Sequence, residues 1–255
     1  MISAGIDCGS AVCKGVLMQD GVIVSKQMQP TGWSPKEISR QILQDLLAAG
    51  SLSREEVAVV ATGYGRVGID FADKIVTEIT CHARGADYLC RGVRTVIDIG
   101  GQDSKVIAVN GGKVTSFQMN DKCAAGTGRF LEMTVMRLGV TFPEFEALLA
   151  AGRSCTINSM CAVFADSEIV SLLAAGVSRE EIAGGIMASV ASRAAALAAR
   201  VAVSPAVMVT GGLSRITGLR NALSEQLNLP VETSEDAQFA GAIGAALMAG
   251  GAYHS

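Results

Sequence analysis

An internal repeat constrains the fold of this chain more than any other feature. Segments 6–28 and 97–119 align without a gap. Each copy reads as a strand, a glycine turn, a second strand, a turn of the Asp-Gly or Asn-Gly-Gly type, and a third strand. Two such copies predict two similar halves, each beginning with three antiparallel strands. The aligned positions with identical residues are Ile6/Ile97, Asp7/Asp98, Gly9/Gly100, Lys14/Lys105, Gly21/Gly112, Ser25/Ser116, Gln27/Gln118 and Met28/Met119.

The first turn of each copy has the composition of a phosphate site. Asp7 and Asp98 end their strands, and a glycine follows two residues later in both copies. A carboxylate is a hard oxygen ligand of the kind that Mg²⁺ uses beside phosphates. Small turn residues leave backbone amides free for phosphate oxygens. One such hairpin alone is more often an ordinary turn, but two aligned copies that keep Asp, Gly and Lys favour the phosphate interpretation.

The rest of the chain follows an α/β pattern. Segments 34–37 and 178–181 have the composition of capping boxes that open helices. Residues 57–61 predict a buried strand that runs into a glycine turn at 62–66, at the strand end where α/β folds place ligands. Residues 207–210 predict a strand ending at Gly211 and Gly212, where the backbone can approach a nucleoside closely.

Two segments leave alternatives open. Cys81 and His82 lie in a helical stretch, and a lone Cys-His pair is more often packing than a metal site. Segment 238–246 predicts a helix of small residues. Such a helix suits either the close crossing of two helices or domains, or a tight contact between a helix and a sheet.

The segment 120–130 combines a thiol with a glycine-rich turn. Cys123 lies three residues before Gly126, and Gly128 precedes a helical stretch. The first amides of a helix lack internal partners and favour an anion, so this segment predicts a phosphate contact beside a soft metal ligand. Cys161 also precedes a predicted helix. Two thiols are too few for a [4Fe–4S] cluster, although a two-fold dimer would supply four. From the residues alone, two buried structural cysteines remain the favoured alternative.

Composition excludes several classes of function. A formal net charge of -3 gives no electrostatic case for nucleic acid. The longest apolar region, 182–203, is interrupted by Arg193 and Arg200, which predicts a buried helix and no membrane span. The seven cysteines are an odd number, and residues 1–9 do not resemble an export signal. We therefore expect reduced thiols in the cytoplasm.

The two hairpins and the later Gly-Gly turn resemble the phosphate and adenosine motifs of the acetate kinase, sugar kinase, Hsp70 and actin superfamily. More narrowly, the chain resembles the activators of 2-hydroxyacyl-CoA dehydratases and the ATPase subunits of benzoyl-CoA reductases. The resemblance covers nearly the whole chain, and the two cysteine segments are specific to that family. Its motifs stand at 5–10, 61–66, 96–103, 120–130 and 161–165.

This resemblance implies an α/β fold with two actin-like (RNase H-like) ATPase subdomains and the nucleotide in the cleft between them. The implied subdomains are 1–92, completed by a C-terminal helix at 238–255, and 93–237, which carries the cysteines. The implied protein is a homodimer that binds ATP or ADP, Mg²⁺ and one shared [4Fe–4S] cluster. It would pass one electron, on ATP hydrolysis, from a ferredoxin or flavodoxin to a partner iron-sulfur dehydratase or reductase.

Matching motifs assign the site residues. Cys123 and Cys161 would be the cluster ligands, Asp7 and Asp98 would hold the Mg²⁺ shell, and Gln102 would orient the attacking water. Ala11 stands where the family commonly has Thr, and Asp166 replaces a usual Glu. A small-molecule kinase and a nucleotide-switched binding protein of the same superfamily remain the alternatives. The expected nucleotide-binding residues are Gly9, Ser10, Ala11, Val12, Cys13, Lys14, Gly100, Gly101, Gln102, Asp103, Lys105, Gly126, Gly128, Gly211, Gly212 and Gln238.

Overall fold

The structure, a computed structural model, describes residues 1–159 and 161–251 and is built on two five-stranded sheets. In spatial order the first sheet contains β3 (Val22–Pro30), β2 (Val12–Gln19), β1 (Ile2–Cys8), β4 (Ala58–Thr62) and β5 (Lys74–Ile75). The second contains β10 (Val231–Glu232), β9 (Val207–Thr210), β6 (Thr95–Ile99), β7 (Ser104–Asn110) and β8 (Lys113–Asn120).

The sheets confirm the repeat and extend it. In each sheet three antiparallel strands come first, with Asp7 opposite Lys14 in one and Asp98 opposite Lys105 in the other. Register shifts fall at aligned places, between residues 17 and 18 and between residues 108 and 109. A parallel strand then pairs Asp7 with Thr62 in the first sheet and Asp98 with Thr210 in the second. The similarity of the two halves therefore extends to β4 and β9, each of which ends in a threonine followed by a glycine.

Helices cover the sheets and confirm most of the predicted boundaries. Short 3-10 helices lie at Arg54–Glu56, Tyr64–Gly68 and Ala237–Phe239. No described helix is long and apolar enough to cross a membrane. The α-helices are α1 (Pro35–Gly50), α2 (Glu78–Leu89), α3 (Gly128–Leu138), α4 (Phe142–Leu149), α5 (Ala162–Ala174), α6 (Arg179–Ala198), α7 (Thr217–Leu227) and α8 (Ala240–Ala249).

Only one of the two predicted capping boxes forms. At α6 the Ser178 hydroxyl accepts from the amide of Glu181, whose carboxylate accepts from the Ser178 amide. At α1 the Ser34 side chain makes no capping hydrogen bond. The backbone differs at the two N-cap residues: ψ is 81° at Ser34 and 153° at Ser178, so only Ser178 has the extended conformation typical of a capping residue.

Helices α2 and α8 cross at the junction of the two sheets with almost no side chain between them. A Cβ on Gly244 would lie 1.8 Å from the carbonyl oxygen of Cys81, and one on Gly85 would lie 1.9 Å from that of Ala240. Helix α8 also lies directly on β1, where a Cβ on Gly5 would approach the Ala242 oxygen to 1.9 Å. The small residues of α8 therefore serve both of the contacts that the sequence left open.

The subdomain boundaries stay a prediction. Helix α2 precedes the expected boundary after residue 92, yet its buried Ala83 and Ala86 pack against Val96 and Met208 of the second sheet. Helix α8, the last element, packs against β1, β2 and β4 of the first sheet. The end of the expected C-terminal helix, residues 252–255, lies outside the described residues.

Candidate functional site

The two aligned turns face each other across a cleft of about 640 Å³. They are close enough that a Cβ on Gly101 would lie 2.8 Å from the Cβ of Ala11 and 3.2 Å from the Ser10 hydroxyl. Only glycine fits at position 101 without displacing the first turn. The expected site residues that line the cleft are Asp7, Gly9, Ser10, Ala11, Val12, Lys14, Asp98, Gly100, Gly101, Gln102, Asp103, Lys105, Gly128, Gly211, Gly212 and Gln238.

Two expected nucleotide-binding residues lie elsewhere. Successive side chains of a strand point to opposite faces, so Lys14 faces the cleft and Cys13 faces away. Cys13 is fully buried opposite Cys8, with its Sγ 3.3 Å from the Ser39 hydroxyl. Gly126 lies against the stem of Arg193, where a Cβ would be 3.1 Å from Cδ. Its φ of +88° explains why a glycine stands in this turn.

The second turn carries a buried ion-pair network around Lys105. This side chain is 2% exposed, and its Nζ lies 2.9 Å from Asp103, 3.2 Å from Asp98 and 3.4 Å from Glu78. Burial alone would lower the pKa of Lys105, but the three carboxylates raise it well above its usual range. The lysine is therefore held as a cation that compensates three neighbouring carboxylates.

Asp98 is held as an anion at the centre of this network. Burial alone would raise its pKa, but His82, Lys105 and the Thr210 hydroxyl together bring the pKa well below its usual range. The Thr210 hydroxyl donates to Asp98 Oδ1 at 3.0 Å. Burial raises the pKa of Glu78, the carboxylate farthest from Lys105 Nζ of the three. An ionised, fixed carboxylate at the phosphate turn is suited to hold a hydrated cation.

Helix α2 contributes two cleft residues that sequence reasoning missed. Glu78 and His82 line the cleft, and His82 Nδ1 lies 3.3 Å from Asp98 Oδ1. Cys81 is fully buried, as the packing interpretation of the Cys81-His82 pair predicts, whereas His82 is buried but also lines the cleft. The available signal was the spacing of Glu78 and His82, because residues four apart share one face of a helix. That spacing is too common to identify a site by itself.

Left-handed glycines follow β4 and β9 at equivalent places. Gly63 has a φ of +89° and Gly211 a φ of +86°. A Cβ on Gly63 would lie 2.5 Å from Asp7 Oδ1, and one on Gly211 would lie 2.7 Å from Asp98 Oδ1. Each glycine therefore lets its turn run against the aspartate of its own copy.

The cysteine segment is hydrogen-bonded directly to the second turn. The amides of Gly128 and Arg129 donate to the carbonyl oxygens of Gly100 and Gly101 at 2.8 and 2.9 Å. The sequence predicts that the amides at the start of this helix are free for an anion. That prediction is wrong for these two, because the turn itself occupies them. The segment therefore contacts the phosphate turn through its backbone.

Both candidate cluster cysteines are exposed. Cys161 is the N-cap residue of α5, and Glu168 on that helix holds the preceding segment by accepting from the amides of Asn158 and Ser159, both at 2.8 Å. Partial burial alone would raise the pKa of Glu168, but these hydrogen bonds lower that pKa to about 2. The approach to Cys161 is therefore anchored by an ionised carboxylate.

Two arginines connect the Cys123 and Cys161 segments. Arg137 of α3 donates two hydrogen bonds to Asp166 of α5, at 2.8 and 2.6 Å. Arg193 of α6 lies under Gly126 and donates to the Ser159 carbonyl at 3.2 Å. Within residues 1–159 and 161–251 no group of three or more His, Cys, Asp or Glu side chains is arranged to hold a metal. One chain therefore presents two thiols on segments that are linked to each other by arginine hydrogen bonds.

Comparison with known families decides the classification. The model of the BadF/BadG/BcrA/BcrD ATPase family matches residues 4–249. The chain belongs to this family. It is 45% identical to the (R)-2-hydroxyglutaryl-CoA dehydratase activating ATPase of Acidaminococcus fermentans, and the match covers 96% of this chain and 95% of that protein. The resemblance inferred from the motifs is therefore confirmed, and the protein is an ATPase.

Solved structures confirm the fold class. The activator of the 2-hydroxyisocaproyl-CoA dehydratase from Clostridium difficile, with bound ADPNP, matches with a TM-score of 0.91 at 38% identity, over 98% of this chain and 94% of that chain. The ethanolamine utilization protein EutJ from Carboxydothermus hydrogenoformans matches with a TM-score of 0.62 at 17% identity, over 97% of this chain and 89% of that chain, which shows the fold alone. The two sheets with their crossing helices are thus the actin-like ATPase fold.

Proposed function

We propose that the protein is an ATP-driven one-electron donor that activates a partner 2-hydroxyacyl-CoA dehydratase or related reductase. The observation that carries the proposal is the pair of exposed cysteines, one of them on a segment hydrogen-bonded to the second phosphate turn. Relatives named as dehydratase activators, and a benzoyl-CoA reductase subunit of Thauera aromatica, support this partner class. A location in the cytoplasm stays a prediction from the cysteine content.

The cleft residues have the chemistry to hold ATP with Mg²⁺. The turns at Gly9 and Gly100 would bind phosphates, Asp7 and Asp98 would hold the hydrated Mg²⁺, and Gln102 would orient the attacking water. Gly211 and Gly212 would flank the adenosine, and Gln238 already donates to the Gly212 carbonyl at 3.4 Å. Ala11 supplies no hydroxyl to the first turn, so we expect backbone amides to carry the phosphate contacts there. The ADPNP bound by the Clostridium difficile relative supports this use of the cleft.

The two exposed cysteines, Cys123 and Cys161, fit one [4Fe–4S] cluster shared by two chains. Cys123 and Cys161 are thiolate donors of the right kind but only half the required number, and a two-fold dimer would supply the rest. Val163 and Phe164, which follow Cys161 closely along the chain, are each 67% exposed, and Met136 of α3 is 78% exposed. A second copy would cover these apolar side chains. When bound, such a cluster supplies a one-electron carrier of low potential, and a ferredoxin or flavodoxin would be its electron source.

The backbone contacts offer a route by which the nucleotide could move the cysteines. Hydrolysis removes the contacts of the γ-phosphate with the turns, which allows the turns to rearrange. Any shift of the Gly100 and Gly101 carbonyls changes the hydrogen bonds that they accept from Gly128 and Arg129 at the start of α3. Arg137 transmits a movement of α3 to α5 through Asp166. Both cysteine segments would then move together.

Iron and acid-labile sulfide should be measured on anaerobically purified protein, beside Cys123→Ser, Cys161→Ser and the control Cys155→Ser. We expect about four of each per dimer, lost in either of the first two variants and kept in the control, because Cys155 is only partly exposed whereas Cys123 and Cys161 are exposed. We also expect the rate of iron removal by a chelator to differ between ADP and ADPNP. Iron-free wild-type dimers that resist anaerobic reconstitution would refute the proposal and favour a kinase or a nucleotide-switched binding protein.

A further inference from the structure

We propose that His82 is a positioning residue for ATP hydrolysis, which holds Asp98 in place and connects it to the region of Asp7. The inference rests on the proposed function only in giving those two aspartates the Mg²⁺ shell. It assigns a role to a residue whose sequence context indicated packing.

One side of the imidazole faces the second phosphate turn. Nδ1 lies 3.3 Å from Asp98 Oδ1 and 3.3 Å from the Thr210 hydroxyl, and the side chain is almost fully buried. The Thr210 hydroxyl donates its only hydrogen to Asp98, so its oxygen is left to accept. A carboxylate oxygen also only accepts. The ring atom that faces both must therefore carry a hydrogen, which assigns Nδ1 as the donor.

The other side of the ring faces the first phosphate turn. The position that a Cβ would take on Gly241 lies 3.0 Å from His82 Nε2 and 2.4 Å from Asp7 Oδ2. The imidazole and the Asp7 carboxylate thus share one small space, which stays open because α8 has a glycine there. His82 is the side chain of α2 that lies between the aspartates of the two copies.

The contact with His82 couples Asp98 to a different part of the fold. Asp98 accepts from Thr210 and lies against Lys105, but these two contacts come from the second sheet itself. His82 adds a contact from α2, the helix that crosses α8 at the junction of the sheets. Its Nδ1 hydrogen-bonds the Thr210 hydroxyl, which in turn donates to Asp98, and lies 3.3 Å from Asp98 Oδ1. The orientation of the Asp98 carboxylate is therefore coupled to the packing of that junction. Outer groups that orient a metal-binding carboxylate affect activity by about 10- to 100-fold when they are removed.

The test uses three substitutions in the full-length, anaerobically purified protein. The amide nitrogen of His82→Asn is as many bonds from Cβ as Nδ1, so this variant keeps the donor. His82→Gln places its amide one bond further out, and His82→Leu has no donor. We expect His82→Asn to keep kcat for ATP within about threefold, and the other two to lose about tenfold or more in kcat with a smaller change in KM.

Thr210→Val supplies a second measurement in case a His82 variant unfolds. It keeps the shape of the side chain and removes the hydroxyl between His82 and Asp98. We expect the losses in kcat of His82→Leu and Thr210→Val to be non-additive in the double variant, because both act on the same carboxylate. Equal losses in all three His82 variants, unchanged kcat in all three, or additive losses in the double variant would show that His82 only fills space.

The outcome is separable from that of the electron-donor proposal. We expect iron content to be the same in wild-type protein and the His82 variants, since His82 is buried beside the phosphate turns whereas Cys123 and Cys161 are exposed. If the wild-type protein holds no iron but only His82→Asn keeps its kcat, the role of His82 stands and the electron-donor proposal fails. If iron is bound as proposed but His82→Asn loses as much kcat as the other two variants, the electron-donor proposal stands and the role of His82 fails.

Discussion

The two phosphate hairpins keep the same aspartate, glycine and lysine in the same register but give the two lysines different surroundings. Lys105 is 2% exposed and lies within ion-pair distance of three carboxylates. Lys14 lines the cleft and is only partly buried, and no ion pair links it to another described residue. The first copy thus presents its lysine to the cleft, while the second uses its lysine to build the site.

The neighbouring helices explain this difference. Helix α2 packs on the second sheet and brings Glu78 and His82 to the second turn. Helix α1 packs on the first sheet and brings Ser39, which contacts Cys13 on the face away from the cleft. The comparison teaches that a repeated motif supplies the same groups twice, whereas the elements packed on each copy decide what those groups do.

The largest expected effect separates the two lysines. Lys105→Met should lower the free energy of unfolding by about 3–5 kcal/mol, because it leaves buried carboxylates without their cation. Lys14→Met should lower it by less than about 1 kcal/mol, because Lys14 is only partly buried and forms no ion pair within 4 Å in the described part of the chain. Denaturant unfolding at neutral pH measures both. Similar losses for the two variants would break the comparison.

The second expected effect should be shared by the copies. Gly63→Ala and Gly211→Ala should each lower the free energy of unfolding by about 1–3 kcal/mol, because both positions have positive φ and a Cβ would lie within about 2.5 Å of a carbonyl oxygen. Gly212→Ala is the matched control, since a Cβ there would have no other atom within 4 Å. Thermal unfolding of the three variants would show whether both copies require glycine at this position. A control as unstable as Gly211→Ala would contradict the steric explanation.

The smallest expected effect concerns a pair that the second copy lacks. Cys8 and Cys13 face each other where the second copy has Ile99 and Ser104. A hydrogen bond with Cys13 is the main reason that the pKa of Cys8 is lowered to about 7. Cys13→Ser, which makes the first copy resemble the second, should cost about 1 kcal/mol or less because Ser39 can still bond the hydroxyl. Thiol titration should also show a changed pKa at Cys8. A much larger loss of stability would assign the pair a role beyond packing.

Much of the fold and of the cleft could be predicted because the relevant signals are local. The order of strand, turn and strand follows from the alternation of apolar residues and from glycine turns, all within about twenty residues. The internal repeat then gave the same evidence a second time. The cleft consequently contains Asp7, Asp98 and both phosphate turns, as expected. The strand alternation also explains why Lys14 lines the cleft but Cys13, expected with it among the nucleotide-binding residues, does not, since adjacent residues of a strand face opposite ways.

What the sequence by itself determined is therefore which groups reach the cleft from each strand and turn. Tertiary structure alone decided which of them meet: Thr210 contacts His82 and Asp98 across separations of 128 and 112 residues. It likewise decided that the first amides of α3 bond to the second turn and not to an anion. The physical reason is that the repeat of apolar residues and the chemistry of turns act between neighbours along the chain. Contacts between side chains of different elements depend instead on how closely those elements pack, as where α2 and α8 cross at glycine.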